Sequence, residues 1–323
     1  MNGKNYSING LRLILACFVV WNHCALYNPA GNFAVVAFFA ITGMFLCKKK
    51  SASCDGLIKS IKRIFPHHFI ALTLVLLLMV VGKKHNLCEL LPSYLSYLTF
   101  TSMWLPFRFC EAINGVDWYL SAYIWIYLFL IILTNVNKGT KIALMVFYIA
   151  TIVYLGINTS DPYFFFRFYA QTQFFDVLLG FLIYHAIQND KISKVLNPQY
   201  MFYLSVILLV LAFIANDYIY DIFWLNSALI YFVPVFLLLY STYRLDECDC
   251  IMKKILSNKF IQKGGDMSMC IFLYHFAVAR TLLNIVPNLH PVLIFCITLT
   301  ITVVISYLCN HVIIMISRYC ISR

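Results

Sequence analysis

Arg12 and His23 stand eleven positions apart in one apolar segment, INGLRLILACFVVWNHCALY, which is long enough to cross a bilayer. Ionisable side chains are expensive there and need a reason. At about 100° per residue, eleven steps bring His23 within roughly 20° of Arg12 around a helix and about 16 Å further along it. One side chain then sits near a membrane surface and the other well inside, on one stripe. Such a stripe is strongly disfavoured against lipid, so it faces a protein interior or a water-filled cavity that can hold a polar ligand. A guanidinium fixes an anion through a planar fork of donors, and imidazole, which ordinarily titrates near neutral pH, suits a general base. The pair alone leaves a plainer account open, in which the Arg snorkels to headgroups and the His is hydrogen-bonded within a bundle.

The elements that must position these groups are helices in a membrane. The chain has 323 residues, of which 62% are hydrophobic and only 11% charged, and its mean hydropathy is +0.82. A soluble globule carries about 25% charged residues, so that class is excluded. The expected fold is all-α: a single polytopic membrane helix bundle over 1–323, with about ten transmembrane helices near 8–28, 33–47, 67–82, 117–134, 141–157, 172–187, 200–215, 222–241, 267–286 and 291–316. With both termini cytoplasmic, this threading leaves only Lys83, Lys84, Arg108, Arg167 and Arg280 outside, out of 24 Lys and Arg residues. That asymmetry follows the positive-inside rule and accounts for a net charge of +11 without nucleic acid. It also gives a cytoplasmic face suited to anionic lipid headgroups and phosphorylated ligands.

The first segment lacks a small-residue cleavage site and reads as a retained helix. The connection 83–116 contains LLPSYLSYLTFTSMWLPF, whose Tyr, Trp and Pro content suggests an interfacial or re-entrant element, either an aromatic anchor or the lining of an acceptor site. Most of the twelve cysteines fall in expected helices and read as structural thiols, with no metal site; Cys88 and Cys110 share the outer loop, where an oxidising face would let them pair. There is no P-loop, dinucleotide fingerprint or zinc-protease motif.

Further segments join the first helix: FAVVAFFAITGMFLCKKK, LIKSIKRIFPHHFIAL, VDWYLSAYIWIYLFL, FFDVLLGFLIYHAIQ and MSMCIFLYHFAVA. In this order and at these spacings the chain resembles the integral-membrane acyltransferase 3 family, over nearly its whole length. Family members pair an Arg and a His in the first helix at the spacing of Arg12 and His23. Gly43 fits a Ser-Gly-Phe-like segment in which Thr42 replaces Ser. Arg63 and Pro66 fit an Arg-Ile-x-Pro turn at the start of the third helix, Trp118 and Leu120 a Trp-x-Leu segment, Gly180 a small-residue helix, and Tyr274 with His275 a Tyr-Leu-x-His-like segment. The chain departs at Lys59, Ser60 and Lys62, where many members carry further arginines, at Tyr123, where many carry Glu, and at Asn310, His311 and Val312, which replace a Glu-x-Pro motif.

The resemblance implies a multi-pass protein of the inner or plasma membrane. It implies a membrane-bound O-acyltransferase that moves an acyl group, usually acetyl, from cytoplasmic acetyl-CoA to a hydroxyl of a saccharide or lipid-linked glycan, as in modification of surface polysaccharide. Acetyl-CoA would be a co-substrate, Arg12, Lys59, Lys62 and Arg63 would hold its anionic groups, and His23 would act with Arg12 in catalysis. Asp117, Trp118, His275 and Asp176 would meet the acceptor or line the cavity, with Asp176 alternatively pairing with Arg167 or Arg280 or orienting His23. Membrane lipid and a second copy in a homodimer are the other expected partners. Asn9, Asn22 and Thr42 are polar supports or, more plainly, helix-packing groups. His67 and His68 lie beside the basic mouth, where interfacial solvation accounts for them. A flippase for glycan intermediates and a family member that has lost its chemistry are the competing readings. The charge partition makes a direct prediction: reporter fusions at the N- and C-termini should both report a cytoplasmic location, and an external C-terminus overturns the even count of crossings.

Overall fold

A computed structural model describes residues 4–25, 30–48, 52–82, 86–102, 113–158, 170–189, 191, 197–219 and 226–321. Among them there are twelve α-helices and no strand: α1 (Tyr6–Ala25), α2 (Ala30–Lys48), α3 (Cys54–Val81), α4 (Leu87–Leu98), α5 (Trp118–Asn135), α6 (Lys138–Asn158), α7 (Ala170–Gln188), α8 (Pro198–Ile219), α9 (Asn226–Leu245), α10 (Ile251–Leu256), α11 (Lys259–Ile285) and α12 (Pro291–Ile321). Each of the ten expected segments falls on one of these helices. Seven of them, α1, α2, α3, α5, α8, α11 and α12, carry stretches long and apolar enough to cross a membrane. The expected element in the 83–116 connection is α4, whose Leu87, Leu91 and Leu95 form an exposed apolar row while Leu90, Ser93, Ser96 and Tyr97 are buried.

The third helix differs most from expectation. It begins at Cys54, about thirteen residues before the apolar run, because Ser53 caps it by accepting the Gly56 N–H and Asp55 sits in its first turn. Lys59, Lys62 and Arg63 are therefore helical, and Pro66 lies inside a continuous helix and does not form a turn. Cys110, Arg108 and Arg167 lie outside the described residues; Cys88 is exposed.

Helix α1 sits centrally, packing against α2, α9, α10, α11 and α12. Its N-terminus is capped from another element: the Asp246 carboxylate accepts the backbone N–H groups of Tyr6 and Ser7 at 2.8 and 3.0 Å. A negative charge there satisfies orphan donors and suits the positive end of the helix dipole. Beside this cap Asn9 donates to the Gln262 side chain and carbonyl, and Gln262 donates in turn to the carbonyls of Tyr6 and Leu256. Asn9 is thus a packing group that ties α1 to α10 and α11.

Glycines set the closest helix approaches. A Cβ on Gly265 would overlap the Asn9 carbonyl, and one on Gly10 the Leu256 carbonyl. Between α2 and α7, Gly43 lies against the Val177 carbonyl and Gly180 against that of Ala40. Lipid supplies no hydrophobic drive for helix association, so this backbone-to-backbone packing is what holds such pairs. Gly180→Leu should lower stability by about 1–3 kcal/mol or more through overpacking. Gly139→Ala, at a position in ordinary contact only with the Asn137 side chain, should stay near wild type; thermal unfolding in detergent compares the two.

Candidate functional site

Arg12 opens onto a cavity of about 340 Å³ between α1, α2, α3, α5 and α11. Ser60, Arg63 and Ile64 enter it from α3, at the i, i+3, i+4 spacing that shares a helix face. Tyr119, Tyr123 and Tyr127 enter from α5, one every four residues. Thr42 and Phe38 come from α2, and Ser268, Met269 and Phe272 from α11. None of the lining residues is acidic. Two guanidinium groups, three phenols and three hydroxyl side chains therefore face a part-apolar space with no acidic side chain in its lining, Asp266 acting on Arg12 from outside it. Thr42 donates to the Phe38 carbonyl at 3.1 Å and Ser60 to the Gly56 carbonyl at 2.9 Å.

Lys59 and Lys62 are exposed on α3 and are not among the lining residues, so of the expected anion-holding groups the cavity gathers Arg12 and Arg63. The tyrosine row was missed at the level of sequence, where Tyr123 registered as a lost carboxylate. Its four-residue recurrence along α5 was the available signal.

His23 sits further along α1, half-buried, against α11. Its ring centroid lies 5.1 Å from that of His275 and 5.3 Å from that of Phe276, which meets it edge-on. Arg12 and His23 thus both face α11, as their spacing requires. His275 is fully buried, and its Nδ1 lies 2.7 Å from the Phe272 carbonyl and 3.2 Å from that of Ile271. A carbonyl only accepts, so Nδ1 carries the hydrogen and the neutral ring keeps its lone pair on Nε2. That Nε2 is buried with no hydrogen-bond partner among the described residues.

Aromatic rings separate the two centres. Phe38, Tyr119 and Phe272 all line the cavity, with centroids 5.2 Å apart for Tyr119 and Phe272 and 6.3 Å for Phe38 and Phe272. On its other side Phe272 is 6.0 Å from His275.

The expected acceptor contacts sit elsewhere. Asp117 is buried just before α5, its Oδ2 lying 3.4 Å from His68 Nδ1 and its Oδ1 accepting from Asn114 at 3.0 Å. Its charge is met by protein groups and not by an open outer surface. Trp118 is buried too, its ring 6.4 Å from that of Phe39. His68 and His67 are likewise interior and not interfacial, with His67 Nδ1 3.3 Å from the Tyr274 hydroxyl. Asp176 is buried on α7, which packs against α2, α5, α6 and α9, whereas His23 is held by α11. No Asp176–Arg280 ion pair forms among the described residues, and Arg167 lies outside them.

The family model described as an acyltransferase domain, that of the acyltransferase 3 family, matches residues 5–311, nearly the whole chain. No curated protein and no solved structure matched it. The chain belongs to this family of acyltransferases and, with its apolar helices, is a multi-pass membrane protein.

Proposed function

From that membership we propose that the chain is an O-acyltransferase of the inner or plasma membrane, with ten crossings and both termini cytoplasmic, that transfers acetyl from cytoplasmic acetyl-CoA to a saccharide or lipid-linked glycan hydroxyl. The observation that carries the reading is the cavity with Arg12 and Arg63 on its wall and no acidic side chain. A multiply anionic donor needs paired guanidinium groups for its phosphates, and the apolar remainder of the wall suits its uncharged arm. Arg63 is the exposed member and meets the donor first; Arg12 stands deeper.

A thioester is already activated, so the chemistry needs a base for the acceptor proton and donors for the developing oxyanion. His23 supplies the base. His275 lies beside it but is fully buried in the bundle, whereas His23 is only half-buried and can be approached. The acceptor oxygen attacks the thioester carbonyl as its proton passes to His23. The carbon–sulfur bond breaks, and the thiolate leaves and is protonated, releasing CoA. Arg12 and His23 are about 16 Å apart along α1, which an extended donor arm spans. The end of that arm must pass or displace the ring of Phe272 to reach His23.

Mass spectrometry of surface glycans from cells with and without the protein tests the reading and identifies the acceptor and the acyl group together. Loss of acetyl-sized mass increments supports it, and an unchanged profile with intact protein overturns it. His23→Ala should remain folded yet transfer acyl groups about 10²-fold more slowly or worse, and His275→Ala should do less. On the donor side, Arg63→Gln should raise the acetyl-CoA KM more than Lys59→Gln or Lys62→Gln, since only Arg63 of the three lines the cavity. Arg12→Lys should weaken donor binding and keep some turnover, because the charge stays and the fork is lost.

A further inference from the structure

The proposed reaction leaves one costly feature without a role. His68 and Asp117 form an imidazole–carboxylate pair with no exposed side-chain surface, and such a pair stabilises a fold little better than well-packed apolar residues do. His68 Nε2 lies 3.0 Å from the Tyr97 carbonyl, to which it must donate, and Nδ1 lies 3.4 Å from Asp117 Oδ2, an ion-pair approach without hydrogen-bond geometry. Phe100 stacks on the ring at 4.9 Å. One buried group therefore ties α3, the end of α4 and the start of α5.

What it ties down is the turn 113–117, closed by the Asp117 N–H to the Asn114 carbonyl at 3.1 Å and by Asn114 donating to the Asp117 carboxylate. Gly115, in the middle of the turn, lies directly on the Phe276 ring, where an added Cβ would come within 3.0 Å. Phe276 is the ring that meets His23 edge-on.

We infer that His68 and Asp117 are a positioning pair: they seat the 113–117 turn on Phe276, and through that ring they hold His23 against His275. The catalytic consequence rests on the proposed function, in which His23 is the base; the mechanical link from Asp117 to His23 does not.

Two full-length variants in nanodiscs test it. Asp117→Asn keeps the shape and removes the charge, and Gly115→Ala leaves the pair intact and pushes on Phe276. Diethylpyrocarbonate modification of His23, read by peptide mass spectrometry against exposed His185 and His290, should rise severalfold in both. CoA release from acetyl-CoA, with envelope glycan extract as acceptor, should show kcat lowered roughly 10- to 100-fold with donor KM unchanged, the pattern of a misplaced reacting group beside an intact donor cavity. Wild-type His23 modification in both variants overturns the link, and undiminished kcat where modification has risen overturns its catalytic consequence. Should Asp117→Asn fail to fold, Gly115→Ala decides. Should the wild-type protein release no CoA, the acyl-transfer reading fails, and the modification pattern still decides the mechanical one.

Discussion

At Gly265 the α11 backbone presents no side chain, and the carbonyl of Asn9 on α1 occupies the space that a Cβ would take. The polar centres depend on this approach. Arg12 stands less than a turn beyond Asn9, and Ser268, the next cavity-lining residue of α11, less than a turn beyond Gly265. His23 meets His275 and Phe276 further along the same seam. The Asn9–Gln262 bonds fix how far α1 can slide along α11, and the Asp246 cap ties the same end of α1 to the end of α9. A polar lock at one end thus sets the register of ionisable groups whose burial is otherwise unfavourable.

Much of this was legible in the sequence wherever a relation is local to one helix. The Arg12–His23 stripe follows from spacing, and the two residues do face one neighbour. The ten apolar segments correspond to helices because twenty-residue runs have few alternatives in lipid. Hydropathy failed at the start of α3, where the first turns carry Lys59, Lys62 and Arg63 and are set by a serine cap instead of an apolar run. It also drew Lys62 together with Arg63, although adjacent residues on a helix point about 100° apart.

Relations across the chain were not legible. His68 and Asp117 are far apart in sequence and belong to different elements, and nothing in either segment announces the other. Each has an adequate local explanation, as an interfacial histidine and as an acid at an outer helix end. Only the packing of α3, α4 and α5 shows both inside, facing one another at 3.4 Å. Tyr123 is similar. As a substitution for a common glutamate it suggests lost function, yet beside Tyr119, Tyr127 and Ser60 it becomes part of a wall.

That wall changes what the departure means. A carboxylate at position 123 would stand in the same cavity as Arg12 and Arg63 and would compensate part of their charge at short range in a medium of low effective dielectric. A phenol fills comparable space and offers a hydrogen bond without that compensation. The two guanidinium groups then repel one another across a lining with no acidic side chain, with Asp266 acting on Arg12 from outside it. On the proposed reading, part of the donor's binding energy comes from ending this repulsion. The aromatic rings of Phe38, Tyr119 and Phe272 then line the cavity on the side toward His275, which Phe272 approaches at 6.0 Å.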